Sequence, residues 1–293
     1  MNHLYRARRK IGRLGLYLAA LAVLVFAVFP VYWVLATALR PTGEIFTREP
    51  SLLPREITFE HFERVLSGVL IPGTSFWSFL TNSLIVTIGS VLCTALISLL
   101  AAVAVARFRF KLRSVFIIML LVIQMVPVEA LIISLFINFF HLGNTLDIEL
   151  VNNLSGVFIV YVAVALPITI LMIRNFVAAV PKSLEEAAAI DGASGWTVFW
   201  RILMPLVAPG LGAASIFAFI TAWNEFLVAF TFLQSNTGAY TLPISLQYYF
   251  GAVSIEWGSI MAASTLLTVP VMIFFLFVQR RMVSGLTMGA IKG

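Results

Sequence analysis

Six apolar runs dominate this chain, at residues 14–39, 79–106, 114–139, 154–176, 206–233 and 259–278. A bilayer core of ~30 Å is spanned by about 20 helical residues, so each run is long enough to cross it once. Inside hydrocarbon every backbone N–H and C=O must be satisfied without water, and a single segment achieves this only as a helix. The 293 residues are 61% hydrophobic and 11% charged, whereas soluble domains are about half apolar and about a quarter charged. The expected fold class is an all-α membrane protein with six transmembrane helices. The first run follows "RARRKIGR", which resembles the basic start of a signal peptide, but its 26 apolar residues exceed the about 7–15 of such a peptide, and it reads as a retained helix.

Charge placement orients the spans. Lys and Arg number five in residues 1–13, four in 107–113, three in 174–205 and three in 280–293, against only Arg40, Arg48, Arg55 and Arg64 on the other side. Positive loops stay inside, so both termini are expected in the cytoplasm. The expected organisation is a basic cytoplasmic N-terminus (1–13), a six-helix domain (14–280) with a cytoplasmic loop at 177–205, and a cytoplasmic tail (281–293). The net charge of +6 is thus a topology signal, and no soluble basic face points to nucleic acid. Outside, residues 40–78 contain the spacing of a small helix at Thr58–Leu66, with prolines at 41, 50, 54 and 72 making the rest irregular.

One interior stretch differs from the runs around it: "PKSLEEAAAIDGASGWTVFWRILMPLVAPG", Pro181–Gly210. Ser183 followed by Glu186 fits a capping box, and Glu185 and Glu186 suit the positive end of a helix dipole. Leu184–Ile190 make about two turns, and Asp191-Gly192 ends them, glycine being able to take a left-handed conformation. Ser194 starts a second short helix, with Pro205 and Pro209 punctuating its join to span five. Trp196, Phe199 and Trp200 suit the headgroup level. Ala187, Ala188 and Ala189 keep the first helix slim. Such a helix either enters a cleft on another protein or is a capped loop that satisfies its own backbone.

Ionisable groups within spans are costly and face a cavity or a partner. Glu129 follows Pro127, which is placed to break span three; Gln124 and Glu129 then either line a pathway or pack in an interfacial turn. Trp223, Asn224 and Glu225 lie in the middle of span five, where aromatic, amide and carboxylate groups suit a sugar, or equally a helix–helix hydrogen bond. Ser245–Trp257 faces outward, as a protein contact or an aromatic belt. With Arg174 counted in the loop that follows run four, no Lys or Arg falls inside the six runs, which disfavours an anionic solute. His3, His141 and Cys93 form no metal-ligand cluster. None of Lys10, Lys111, Lys182 and Lys292 sits in a phosphate-binding loop.

The string Glu186-Ala187-Ala188, Asp191-Gly192-Ala193 and Ile202-Leu203-Met204-Pro205 resembles the signature loop of the permease subunits of ATP-binding-cassette (ABC) importers. "ITAWNEFLVAF" (220–230), "TNSLIVTIGS", "VAVARFRF" and the final "QRRMVSGLTMGAIKG" are similar to the maltose-type, carbohydrate-uptake branch, so the likeness covers most of the chain. It implies a type I importer permease fold in a bacterial or archaeal plasma (inner) membrane. The implied partners are a second homologous permease, an ABC ATPase dimer and an extracytoplasmic solute-binding protein. The chain would bind no cofactor itself; ATP and Mg would sit on the partner ATPase. Ser183, Glu185, Glu186, Ala187, Ala188, Asp191, Gly192 and Ala193 would form the ATPase-coupling helix, and Gly289, Ala290 and Lys292 a second ATPase contact. The expected solute is a sugar or oligosaccharide, with glycerol 3-phosphate or a related phosphodiester as the alternative. An ion-coupled secondary transporter is the other alternative, with Glu129 and Glu225 as its coupling acids.

Overall fold

The computed structural model describes residues 2–47, 51–67, 74–250 and 255–289, with side chains from Arg13 to Gln279. Its helices are α1 (Asn2–Ala38), α2 (Thr42–Ile45), α3 (Glu60–Leu66), α4 (Phe76–Arg107), α5 (Arg113–Met125), α6 (Val128–Leu146), α7 (Leu154–Ala179), α8 (Lys182–Ile190), α9 (Gly195–Val198), α10 (Met204–Trp223), α11 (Leu227–Phe232), α12 (Leu242–Ser245) and α13 (Trp257–Gly289). Among the described residues there is no strand, and Phe250 and Ile255 form an isolated antiparallel bridge. Six helical segments are long and apolar enough to cross a membrane: Arg13–Ala38, Phe76–Arg107, Val128–Leu146, Leu154–Ala179, Gly195–Trp223 and Trp257–Gln279.

One expected span is corrected, and another is broken where Pro127 was placed to break it. Span three over 114–139 is two helices, α5 and α6. Val126 between them is extended (φ −84°, ψ 115°), the conformation forced on a residue that precedes proline, and Pro127 has no N–H to carry the ladder across. Span five stops at Trp223, ten residues short of its expected end at 233. It also starts earlier, because α9 runs into α10 without interruption through a π-helical turn at Phe199–Leu203. In an α-helix Pro205 would clash with the carbonyl of residue 201. The wider turn accommodates it, so Pro205 does not separate the two helices.

The chain divides into two compact units, residues 1–70 with 249–268 and residues 71–248 with 269–293. In the first, the residues after α1 are ordered by polar contacts. Arg40 donates through Nη2 to the carbonyl of Ser51 at 2.5 Å, and its guanidinium lies 5.0 Å from the Trp33 ring centre. Glu44 accepts from the backbone N–H of Arg55 at 3.0 Å, a bond that holds its carboxyl below the usual range. The small helix expected at 58–66 is α3, and α2 adds a turn that the prolines obscured.

The second unit is built on α4, α7 and α10, which pack against one another along their lengths. Their shared core includes Leu99, Ala102, Ile173, Val177, Leu203 and Val207. α4 starts at a capping box, Ser75 accepting from the Ser78 N–H at 3.2 Å and Ser78 from that of Ser75 at 3.1 Å. Its buried face carries Ser83, Thr87, Ser90, Thr94 and Ser98 at helical spacing. Small hydroxyl residues let membrane helices approach closely and bond across the gap. Ser98 and Thr169 share a hydrogen bond of 2.6 Å, and the hydroxyl of Ser83 accepts from the N–H of Leu242 at 2.8 Å.

α7 starts beside the segment that precedes it, with Asn153 capping the N–H of Ser155 at 3.0 Å. A Cβ on Gly156 would fall onto the backbone carbonyl of Leu150, which cannot swing aside as a side chain would. Gly156→Ala is expected to lower stability by about 1–3 kcal/mol, the scale of overpacking. Gly43→Ala, whose Cβ would meet nothing within 4 Å, should leave it unchanged. Thermal unfolding in mild detergent checks both.

Candidate functional sites: an exposed helix and a cavity at a broken span

The stretch after α7 folds as two helices about a tight turn, although its start differs from the expected capping box. The residue before α8 is Pro181, and no side chain caps the helix. Ser183 therefore lies inside the first turn instead of preceding it. The proline holds the chain extended (φ −61°, ψ 131°) up to Lys182, one residue too early for Ser183 to act as the cap. The two glutamates diverge. Glu186 is exposed, while Glu185 forms an ion pair with Arg107 at 2.7 Å.

The far end of α8 follows the expected glycine termination. Gly192 has φ +82°, its N–H bonds the carbonyl of Ala189 at 3.1 Å and the N–H of Ala193 bonds that of Ala188 at 2.9 Å. This is the Schellman arrangement, which leaves few carbonyls unpaired. Ser194 then caps α9 by accepting from the Thr197 N–H at 3.3 Å. Trp196, Phe199 and Trp200 form one aromatic cluster, with ring centres 5.2–6.1 Å apart. No residue of α8 is buried, and Ile190 is 86% exposed. An apolar groove of about 590 Å³, lined by Leu100, Val103, Arg107, Ala189, Trp196 and Phe199 among others, lies at the end of α4.

The break at Pro127 opens a second site. Gln124 and Glu129, expected either in a pathway or in an interfacial turn, both line one cavity of about 600 Å³ bounded by α5, α6, α7 and α10. Thr221 adds a hydroxyl, and Phe139, Pro167 and Phe217 contribute apolar walls.

Trp223, Asn224 and Glu225 do not line that cavity, and they lie at the break between α10 and α11 rather than in the middle of span five. Trp223 is 1% exposed and stacks on Phe219 at 5.5 Å, which stacks in turn on Phe274 at 4.0 Å. Asn224 is the C-cap of α10, and its side chain donates to the carbonyl of Ile220 at 2.9 Å. The carboxylate of Glu225 accepts from the N–H groups of Val228 at 2.7 Å and Ala229 at 3.0 Å, so it starts α11. The hydroxyl of Tyr161, a residue the sequence reading passed over, donates to it at 2.9 Å. The signal was present as a lone phenol in the apolar run of α7.

Arg174 is a further correction. Read as a loop residue, it lies inside α7, which continues to Ala179, so a fixed positive charge does occur within a span helix. In the outward stretch Ser245–Trp257, burial pushes the phenols of Tyr248 and Tyr249 up to about 12; residues 251–254 lie outside the described residues. Of the proposed tail contact, Gly289 ends α13, whereas Ala290 and Lys292 lie outside the described residues.

Residues 94–287 match the family model described as "Binding-protein-dependent transport system inner membrane component". The chain is 40% identical over 286 residues to the diacetylchitobiose uptake system permease protein DasC of Streptomyces coelicolor, covering 98% of this chain and 99% of that one. It is 34% identical over 286 residues to the trehalose transport system permease protein SugB of Mycobacterium tuberculosis, covering 96% and 99%. Its fold is similar to a chain in the crystal structure of a bacterial ABC transporter that imports alginate, with a TM-score of 0.74 at 22% identity, covering 94% and 97%.

Glu225→Ala removes one acceptor and strands three donors. Hydrogen bonds to charged groups are worth about 1.5–3 kcal/mol, so a loss of stability of at least about 2 kcal/mol is expected. Tyr161→Phe, which removes a single donor, should lose less. Melting temperatures of the two purified variants, compared with the unaltered chain, check the order.

Proposed function

The chain belongs to the family of inner-membrane components of binding-protein-dependent transport systems, and from that premise we propose that it is one permease half of an ATP-driven importer for a sugar or oligosaccharide. The observation that carries the coupling role is α8 itself: a helix with no buried residue, closed at its end by Gly192, presenting its alanines and Glu186 to a partner. Its place between α7 and α10 matches the signature loop. The uneven distribution of Lys and Arg supports placing this loop, and both termini, in the cytoplasm. An ABC ATPase dimer would dock there, carrying ATP and Mg, while a second permease completes the pathway and a solute-binding protein delivers from outside.

The names of DasC and SugB support a carbohydrate solute. In the cavity at Pro127, Gln124, Glu129 and Thr221 offer amide, carboxylate and hydroxyl partners for sugar hydroxyls. Neither alternative gains comparable support. As an ion-coupling acid, Glu225 would need a free carboxylate, yet its oxygens already accept from Val228, Ala229 and Tyr161. Arg174 removes one objection to a phosphate, but it lies five residues from the end of α7 and away from the polar cavity.

Affinity purification of the tagged chain from its native membrane in mild detergent should bring along an ATPase and a second permease in fixed ratio. Emergence of the chain alone, or only as a self-dimer, overturns the reading. Gly192→Pro demands φ near −65° where the chain has +82° and removes the N–H bonded to Ala189. Made separately, Gly192→Pro and Glu186→Lys should each cut uptake of the native sugar by at least about tenfold, the usual scale of coupling between sites, with normal amounts of protein in the membrane. Normal uptake in either variant removes the coupling assignment.

A further inference from the structure

α8 has little to hold it. Chain turns flank it on both sides, the extended Val180-Pro181 elbow before and Gly192 at φ +82° after. Only Glu185 and Ala188 are even half-covered along its length. A helix placed between two such turns, with no buried side chain, is free to pivot unless something ties it sideways.

That tie is Arg107, the last residue of α4. Its Nη2 lies 2.7 Å from Glu185 in the first turn of α8 and donates at 3.0 Å to the carbonyl of Val180, the C-cap of α7. One guanidinium therefore joins the ends of three elements. Exposed ion pairs contribute little, because water screens them and two flexible side chains must be ordered. This pair is different: the two side chains are 10% and 24% exposed, and the second acceptor fixes the direction of the guanidinium. Both contacts are made by the same nitrogen: the one to Val180 is a hydrogen bond and the one to Glu185 a close ion pair.

α4 also packs extensively on the rest of its unit, along both α7 and α10. Through Arg107 a movement of α8 is passed to α4, which carries span two. Resting on the reading of α8 as the helix that docks on the ATPase, we infer that Arg107 is a positioning residue that clasps α8 to α4, so that the two move as one body when the ATPase closes. Glu185 then faces inward as the other half of the clasp, leaving Glu186 to face the partner.

Cys93 is the only cysteine in the chain and lies in α4, which makes the inference measurable. Spin labels on Cys93 and on Lys182→Cys, the exposed first residue of α8, report the α4–α8 distance. The sample is the complete purified complex, its other subunits freed of cysteine, with and without ATP plus vanadate. The expected result is one narrow distance that nucleotide leaves unchanged. In Arg107→Glu the distance should broaden and shift with nucleotide by up to about 5 Å, the scale of a one-turn displacement. Adding Glu185→Arg, which restores the pair in reverse, should narrow it again.

A nucleotide-dependent shift in the unaltered pair overturns the inference, because α8 then moves independently of α4. So does a narrow, unshifted distance in Arg107→Glu, or a reversed pair that fails to restore it. A complex that purifies without any ATPase overturns the reading of α8 beneath the inference, and is distinguished from these outcomes by its subunit composition before any distance is measured.

Discussion

Hydrocarbon supplies no hydrogen-bond partner, and the rest of this structure follows from how each backbone break is repaired. An unbroken helix satisfies itself. Where a helix stops at membrane depth, the freed N–H and C=O groups must find protein. At the end of α10 the repair is Glu225, whose carboxylate takes two N–H groups of α11 while Tyr161 supports it from α7. A charged residue in a span usually suggests transport chemistry; here it is used to restart a helix. At Pro127 the break lines a cavity shared by α5, α6, α7 and α10, and irregular backbone at membrane depth is tolerated where it lines such a cavity.

Close packing of α4 on α7 and α10 provides the frame. Lipid tails are as apolar as leucine, so apolar side chains alone gain little by meeting one another. Close approach and interhelical hydrogen bonds do more. The hydroxyl-bearing face of α4 and the bare backbone of Gly210 in α10 against Phe176 of α7 supply the first, and the pair Ser98–Thr169 the second. α1 stands in contrast, with its apolar residues from Leu14 to Val31 exposed in the chain by itself, as suits a helix that meets lipid or another subunit.

α8 follows the opposite logic. It buries none of its residues, and its ends are closed by its own backbone at Gly192 and by position at Pro181. This leaves nearly its whole surface for a partner, at the cost of a weak attachment to its own chain. An arginine at the end of α4 is a compact solution, since one group reaches both the elbow and the first turn.

Six spans, the broken third, the slim helix after α7 and its glycine end are all readable from residue order, because each depends on local chemistry: apolar length, a missing proline N–H, a glycine at positive φ. The family is readable too, since the loop signature is a local string. What the tertiary structure decided concerns partners far apart in sequence. Glu185 and Glu186 are adjacent acids in the chain, and only the position of Arg107, 78 residues upstream, turns one inward. Trp223 and Glu225 have the residue types of a sugar site, yet Phe219 and Tyr161 enlist them in packing and capping. The limits of the fifth span were equally hidden, because a run of apolar residues does not reveal that a carboxylate within it binds the next turn. Local order could specify which segments become helices, but long-range contacts chose which of their polar groups remain free to act.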